Sequence, residues 1–160
     1  MSATTLRVEN LVLTYTNGRR KVNAVRGVSF EAAAGETIAL VGESGCGKSS
    51  TARAIAGLER PTSGRITVAG HEIGAIARDR RLRHLVQMVF QHSDQALDRS
   101  WSVARSVAEP LVQMQRMKAK QTRERVVAAL AEVGLSEEYL TRRPRDLSGG
   151  QAQRVAIARA

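Results

Sequence analysis

An α/β fold centred on a phosphate-binding loop is predicted by three observations. A short apolar run, Thr37-Ile38-Ala39-Leu40-Val41, has the length and composition of a buried strand. It leads directly into Gly42-Glu43-Ser44-Gly45-Cys46-Gly47-Lys48-Ser49, which fits the pattern G-x-x-x-x-G-K-[ST]. Strand-like segments dominate up to Gln91, whereas from Val103 onward apolar residues recur at helical spacing.

The elements follow in order. Residues 6–13 and 22–31 have strand composition and are separated by the turn-forming Asn17-Gly18, which predicts an N-terminal antiparallel β unit. Residues 37–41, the glycine-rich loop and residues 49–58 make strand, loop and helix. Pro61-Thr62-Ser63-Gly64 then turns the chain into a strand over residues 65–69. Another strand over residues 85–90 ends at Gln91. Val103, Val107, Leu111 and Met114, and then Val126, Val127, Leu130 and Val133, predict two helices of a helical subdomain, with Thr122 and Gly134 as caps of the second. About residues 1–91 form the β unit and loop core, about 92–147 the helical subdomain, and 148–160 the start of a further helix.

The loop carries the chemistry. Glycines let the backbone curl so that successive N–H groups point at phosphates, and Lys48 brings positive charge toward the β and γ oxygens. Ser49 is placed to offer its hydroxyl to Mg²⁺, and the helix starting near Lys48 adds its N-terminal dipole to the same anion site. All of residues 42–50, from Gly42 through Glu43, Ser44, Gly45, Cys46, Gly47, Lys48 and Ser49 to Ser50, are therefore candidates to bind a nucleoside triphosphate. Cys46 serves there as a small residue.

Bulk properties set the remaining bounds. A chain of 160 residues is the size of one domain and buries about 70% of its unfolded surface on folding. No apolar run approaches the ~18 residues of a spanning helix, the N-terminus lacks the apolar core of a secretory signal, and a single cysteine forms no internal disulfide. A cytoplasmic location is expected. The net charge of +10 comes with basic clusters at residues 78–83, 116–125 and 142–145. With only one Trp, two Tyr and two Phe available to stack on bases, and no helix-turn-helix or zinc spacing, nucleic acid is not the expected partner. The clusters are solvated faces, or a docking surface for acidic loops or anionic head groups.

A second motif, Leu147-Ser148-Gly149-Gly150-Gln151, followed by Gln153-Arg154-Val155-Ala156-Ile157-Ala158-Arg159-Ala160, completes the pattern. Together the two motifs resemble the nucleotide-binding subunit of an ATP-binding cassette (ABC) transporter, from about Leu6 to Ala160. The resemblance implies the P-loop ATPase core with its antiparallel β unit and helical subdomain. It also implies that Tyr15 stacks on adenine and that Gln91 is the glutamine whose amide oxygen approaches Mg²⁺ and the attacking water. Read without it, Tyr15 is an ordinary strand aromatic and Gln91 a surface residue. Lys48 and Gln91 are thus the expected catalytic residues, with Ser49 and Gln91 at the metal.

Ser148, Gly149, Gly150 and Gln151 begin a helix whose exposed N–H groups make a second phosphate site. By resemblance, two such subunits, alike or different, pack head to tail so that Ser148 to Gln151 of one copy meet the ATP held by Lys48 of the other. Membrane permease subunits are further expected partners, with a substrate-binding protein engaged through them, on the inner face of the plasma membrane. Together with the loop and the residues before Gln91, Ala108-Glu109-Pro110-Leu111 looks most like the oligopeptide, dipeptide and nickel import branch. His92-Ser93 and Asp98-Arg99 depart from that branch, where Asp-Pro and Asn-Pro are expected.

The family's next motif, an apolar strand ending in Asp-Glu, is expected shortly past Ala160, followed by a switch histidine. The sequence is accordingly expected to be an N-terminal fragment, lacking the last part of the core sheet and with negligible ATP turnover of its own. His92, a solvent-exposed loop histidine, is not that switch. Two other classes share both motifs: DNA-maintenance ATPases and non-transport accessory subunits such as those of phosphonate breakdown. The former usually insert coiled coils or zinc modules between the motifs, which the short interval and single cysteine do not accommodate.

Overall fold

A computed structural model describes residues 4–18, 20–79, 82–91 and 97–160. The chain divides into two compact units, Met1–Val86 and Gln87–Ala160. The division falls after Val86, so Gln91 belongs with the helical unit rather than with the loop core.

The first unit is built on an antiparallel sheet of order β2 (Arg20–Ala33), β1 (Thr4–Asn17), β3 (Ser63–Val68), β4 (His71–Glu72). Strands β1 (Thr4–Asn17) and β2 (Arg20–Ala33) form the expected hairpin, closing at the pair Asn17 and Arg20. On its other side β1 pairs with β3 (Ser63–Val68), so that Val8 faces Phe30 across one ladder and Ile66 across the other. Val8 and Leu11 are three residues apart, yet both are buried, which strict alternation forbids. A bulge resolves the conflict: Asn10 adopts a φ of 46° and its N–H donates to Ser29 Oγ at 2.8 Å, shifting the register between Val8 and Leu11. Leu11 and Leu13 then share one face with Val25 and Ile66, and helix α1 (Lys48–Ile55) contributes Ala54 to the same core. Each large aliphatic side chain so buried stabilises the unit by about 1.5–3 kcal/mol.

Two small elements were not legible beforehand, the two-residue strand β4 (His71–Glu72) and helix α2 (Ile73–Arg78). Ile73 and Ile76 of α2 join the same core.

The apolar runs at residues 37–41 and 85–90 are not strands. Arg83–Leu85 forms a short 3-10 turn, and neither run is one of the strands of the sheet. Val41 is 90% exposed, and Ile38, Leu40, Val89 and Phe90 are also exposed. An apolar run specifies burial but not its neighbour, and an extended backbone becomes a strand only where another strand meets its N–H and C=O groups.

The second unit consists of helices α3 (Val103–Gln113), α4 (Ala119–Glu132) and α5 (Gly149–Arg159) around a core that includes Val103, Val107, Val126, Leu130 and Val155. Ser102 caps α3, its hydroxyl accepting from the Arg105 amide. At the end of α4 the expectation for Gly134 holds. With φ 70° it accepts the left-handed turn that lets its own N–H reach Ala131 and the Leu135 N–H reach Leu130. Thr122 is not a cap. The helix starts at Ala119, and Thr122 lies buried in its first turn with its hydroxyl donating to the carbonyls of Lys118 and Met117. A buried threonine one turn into a helix satisfies its hydroxyl on the preceding carbonyls and needs no capping role.

Candidate functional site

The loop of the first unit ends on a backbone constraint. Gly47, at the N-cap of α1, has φ 97° and ψ 2°, and a Cβ there would collide with the Ala24 carbonyl oxygen of β2. Only glycine lets the loop press this closely on the hairpin while turning into the helix. The Cys46 N–H donates to Glu43 O at 3.3 Å, and the Thr51 N–H donates to Gly47 O at 2.8 Å, which starts the helical ladder.

No side chain caps α1. The first-turn amides of Lys48, Ser49 and Ser50 therefore point out of the helix N-terminus, carrying the positive end of the helix dipole. Half-buried Lys48 curls back over the loop, its ammonium donating to Gly42 O and Glu43 O, both at 2.7 Å, and lying 3.5 Å from Cys46 Sγ. These carbonyls hold the cation at the mouth of the loop. A phosphate oxygen offers a stronger, charge-assisted bond to the same ammonium. Glu43, Ser44, Gly45 and Cys46 line the exposed outer curve.

Ser49 is exposed at the second position of α1. Among the described residues no group of three His, Cys, Asp or Glu side chains is placed to hold a metal ion. A single neutral hydroxyl beside an anion site fits Mg²⁺, which keeps several waters and is held mainly through substrate phosphates with one or two protein oxygens. It does not fit a cation needing an all-protein cage.

Tyr15 stands on the same face of β1 as Leu11 and Leu13, the face against which α1 packs, and is 41% exposed. Its hydroxyl is hydrogen-bonded to the Glu59 carboxylate and lies 3.0 Å from Ser50 Oγ. Glu59 raises the Tyr15 phenol above its ordinary range. The structure thus brings Tyr15, Ser50 and the loop together in one unit. Glu59 was missed from sequence: it is 44 residues from Tyr15, and no local pattern in Leu58-Glu59-Arg60-Pro61 signals the contact.

The second motif lies in the second unit. Ser148 is the N-cap of α5; its hydroxyl accepts from the Gln151 N–H at 3.3 Å, and Gln151 Oε1 accepts from the Ser148 N–H at 2.9 Å, a reciprocal capping box. Gln151 Nε2 donates to the Tyr139 hydroxyl at 3.0 Å, so both ends of that side chain are engaged. The amides of Gly149 and Gly150 remain in the first turn without side-chain cover.

Gln91 is exposed in the second unit, and His92 and Ser93 lie outside the described residues. Asp98 accepts from both the N–H and the hydroxyl of Ser100, which lowers its pKa and makes a turn where Asn-Pro was expected. In the basic cluster at residues 142–145, Arg142 stacks 4.2 Å over the Tyr139 ring and reaches Glu138, and Arg145 pairs with Asp146. No described helix is long and apolar enough to cross a membrane.

Known proteins place this arrangement. A di/tripeptide transport ATP-binding protein, DppF of Pseudomonas aeruginosa, is 46% identical over 145 residues, covering 89% of this chain and 45% of the relative. The oligopeptide transport ATP-binding protein OppF of Escherichia coli is 41% identical over 88% of this chain and 43% of its own length. The nickel import ATP-binding protein NikE of Pseudomonas putida is 40% identical over 84% and 50%. The chain spans about half the length of the curated relatives it matches. Among solved structures, the dimeric ATP-binding cassette MJ0796, in a post-hydrolysis state bound to ADP and Pi, superimposes with a TM-score of 0.82 at 30% identity, covering 96% of this chain and 68% of that one. The cassette CbiO1 of Clostridium perfringens, part of the transporter complex CbiONQ, gives 0.78 at 31%, covering 98% and 60%. The family described as ABC transporter matches residues 25–160, and with the loop, the capped second motif and these relatives in agreement, the chain belongs to the ABC transporter family.

Proposed function

We propose that this chain is the nucleotide-binding part of an ABC importer ATPase of the peptide and nickel type. The observation that carries this is the uncapped N-terminus of α1 with the Lys48 ammonium held over the loop carbonyls beside it. Triphosphate oxygens take the first-turn amides and the ammonium together, while the exposed Tyr15 ring offers a π-face to adenine. Mg²⁺ would supply charge neutralisation for phosphoryl transfer at this site. Ser49 would hold it from the loop, and Gln91 is the other residue proposed as its ligand.

Ser148, Gly149, Gly150 and Gln151 serve the partner copy. The Gly149 and Gly150 amides present a second anion site, directed at the nucleotide held by Lys48 of the other subunit, as the dimeric state of the neighbouring cassette MJ0796 supports. ATP then favours the closed pair and its hydrolysis releases it, motion that permease subunits at the inner face of the membrane convert into uptake. The names of DppF, OppF and NikE support peptides or nickel as cargo, delivered by a separate binding protein.

Sedimentation of the protein in saturating MgATP and in MgADP tests the shared site. A dimer in ATP only, abolished by Gly149→Asp while nucleotide still binds, is the expected result. A monomer at saturating ATP would overturn head-to-tail sharing by this chain.

A further inference from the structure

We propose that Glu59 is a positioning residue for the nucleotide base, holding the Tyr15 ring in a fixed orientation and tying it to the first turn of α1. This rests on the proposed adenine-stacking role of Tyr15.

Tyr15 needs such a tether. The β1–β3 ladder ends at the pair Val12 and Ser63, with the Thr14 N–H donating to Thr62 Oγ1 just beyond it, so at Tyr15 β2 is the only paired strand among the described residues, at Val22. Tyr15 is 41% exposed, so packing holds its rotamer less tightly than that of a buried side chain. The hydroxyl contacts supply what packing does not. Glu59 accepts from the phenol, Ser50 Oγ lies 3.0 Å away, and Arg53 Nη1 lies 3.4 Å from Glu59 Oε1 on the other side of the carboxylate.

Glu59 is itself fixed. The Leu58 and Glu59 N–H groups both donate to the Arg53 carbonyl, at 2.9 and 3.3 Å, at the C-terminal end of α1. Ser50 and Arg53 are three residues apart on that helix and so share the side that meets Tyr15 and Glu59. One short helix therefore carries the phosphate amides at its start, the base platform's anchor in its first turn and the anchor's clamp at its end. Stacking gains most from a ring already oriented, because the ordering cost is met before the ligand arrives. The charged carboxylate contributes a hydrogen bond stronger than a neutral acceptor would make.

A role in placing the base predicts loss of base-dependent binding with phosphate binding retained. The measurement is the ratio of MgATP to magnesium tripolyphosphate affinity in the 160-residue protein and its Glu59→Ala, Glu59→Gln, Tyr15→Phe and Tyr15→Ala variants. Glu59→Ala and Tyr15→Phe are expected to lower the ratio about three- to tenfold, with tripolyphosphate affinity unchanged. Glu59→Gln, which keeps an acceptor, recovers most of the loss. The double variant Tyr15→Phe with Glu59→Ala is no worse than Tyr15→Phe alone, since both break one hydrogen bond. Tyr15→Phe probes that bond from the other side should Glu59→Ala not fold. In Glu59→Gln the Tyr15 phenolate absorbance also appears at lower pH, because the carboxylate that raises its pKa is gone. If Tyr15→Ala lowers the ratio but Glu59→Ala and Tyr15→Phe do not, the positioning role is overturned and stacking survives. If Tyr15→Ala leaves the ratio unchanged, stacking and the inference fall together.

Discussion

The N-termini of helices α1 and α5 are built in opposite ways. Helix α1 begins at Gly47, in a left-handed conformation with no side-chain cap, whereas α5 begins at Ser148, capped by its own hydroxyl and closed by Gln151. The first end exposes its amides and places a cation beside them. The second satisfies part of its own demand and leaves the Gly149 and Gly150 amides for a visitor. A helix end without a cap gives up about 1 kcal/mol of stability, which a bound phosphate restores. A capped end is stable alone and binds only what is brought to it. The contrast suits the proposed division between a primary nucleotide site in one unit and a surface offered to a partner's nucleotide in the other.

The sharpest way to break the comparison is at Gly47. Gly47→Ala forces a Cβ into the Ala24 carbonyl at a φ that L-residues resist, and should cost at least about 2 kcal/mol as well as displacing the loop. Urea unfolding followed by circular dichroism should show the loss, and MgATP binding should vanish with it. Unchanged stability would mean the loop is not pressed on β2.

A smaller effect is expected at the other end. Ser148→Ala removes one partner of the capping box and should destabilise the second unit by about 1 kcal/mol. Trp101, the sole tryptophan, lies in that unit, stacked beneath the Arg105 guanidinium, so its fluorescence reports the change. Monomer affinity for ATP should stay at the wild-type value. A matched drop in ATP affinity would show that the two ends are not separate devices.

What was legible from sequence divides along similar lines. The loop, α1, the hairpin and α5 were readable because each is specified locally: fixed glycines before Lys48, Asn17-Gly18 between two strand-like runs, and Ser148 three residues before Gln151. Gly134 was readable for the same reason, since a helix end by glycine is a local event. Residues 37–41 and 85–90 misled because strand formation depends on a neighbour, and composition reports only the wish to be buried. Thr122 misled because a threonine satisfies its hydroxyl one turn back as readily as it caps a helix. The bulge at Asn10 and the pairing of Tyr15 with Glu59 depend on β1 meeting distant segments, which no window of sequence displays.

The most direct test of a nucleotide site built on α1 is equilibrium binding of MgATP to the protein and to Lys48→Ala. Removing a charge-assisted contact worth about 1.5–3 kcal/mol should weaken binding at least about tenfold, with the Trp101 unfolding midpoint unmoved. Equal affinity of the two proteins for MgATP would contradict the assignment of the loop as the phosphate site.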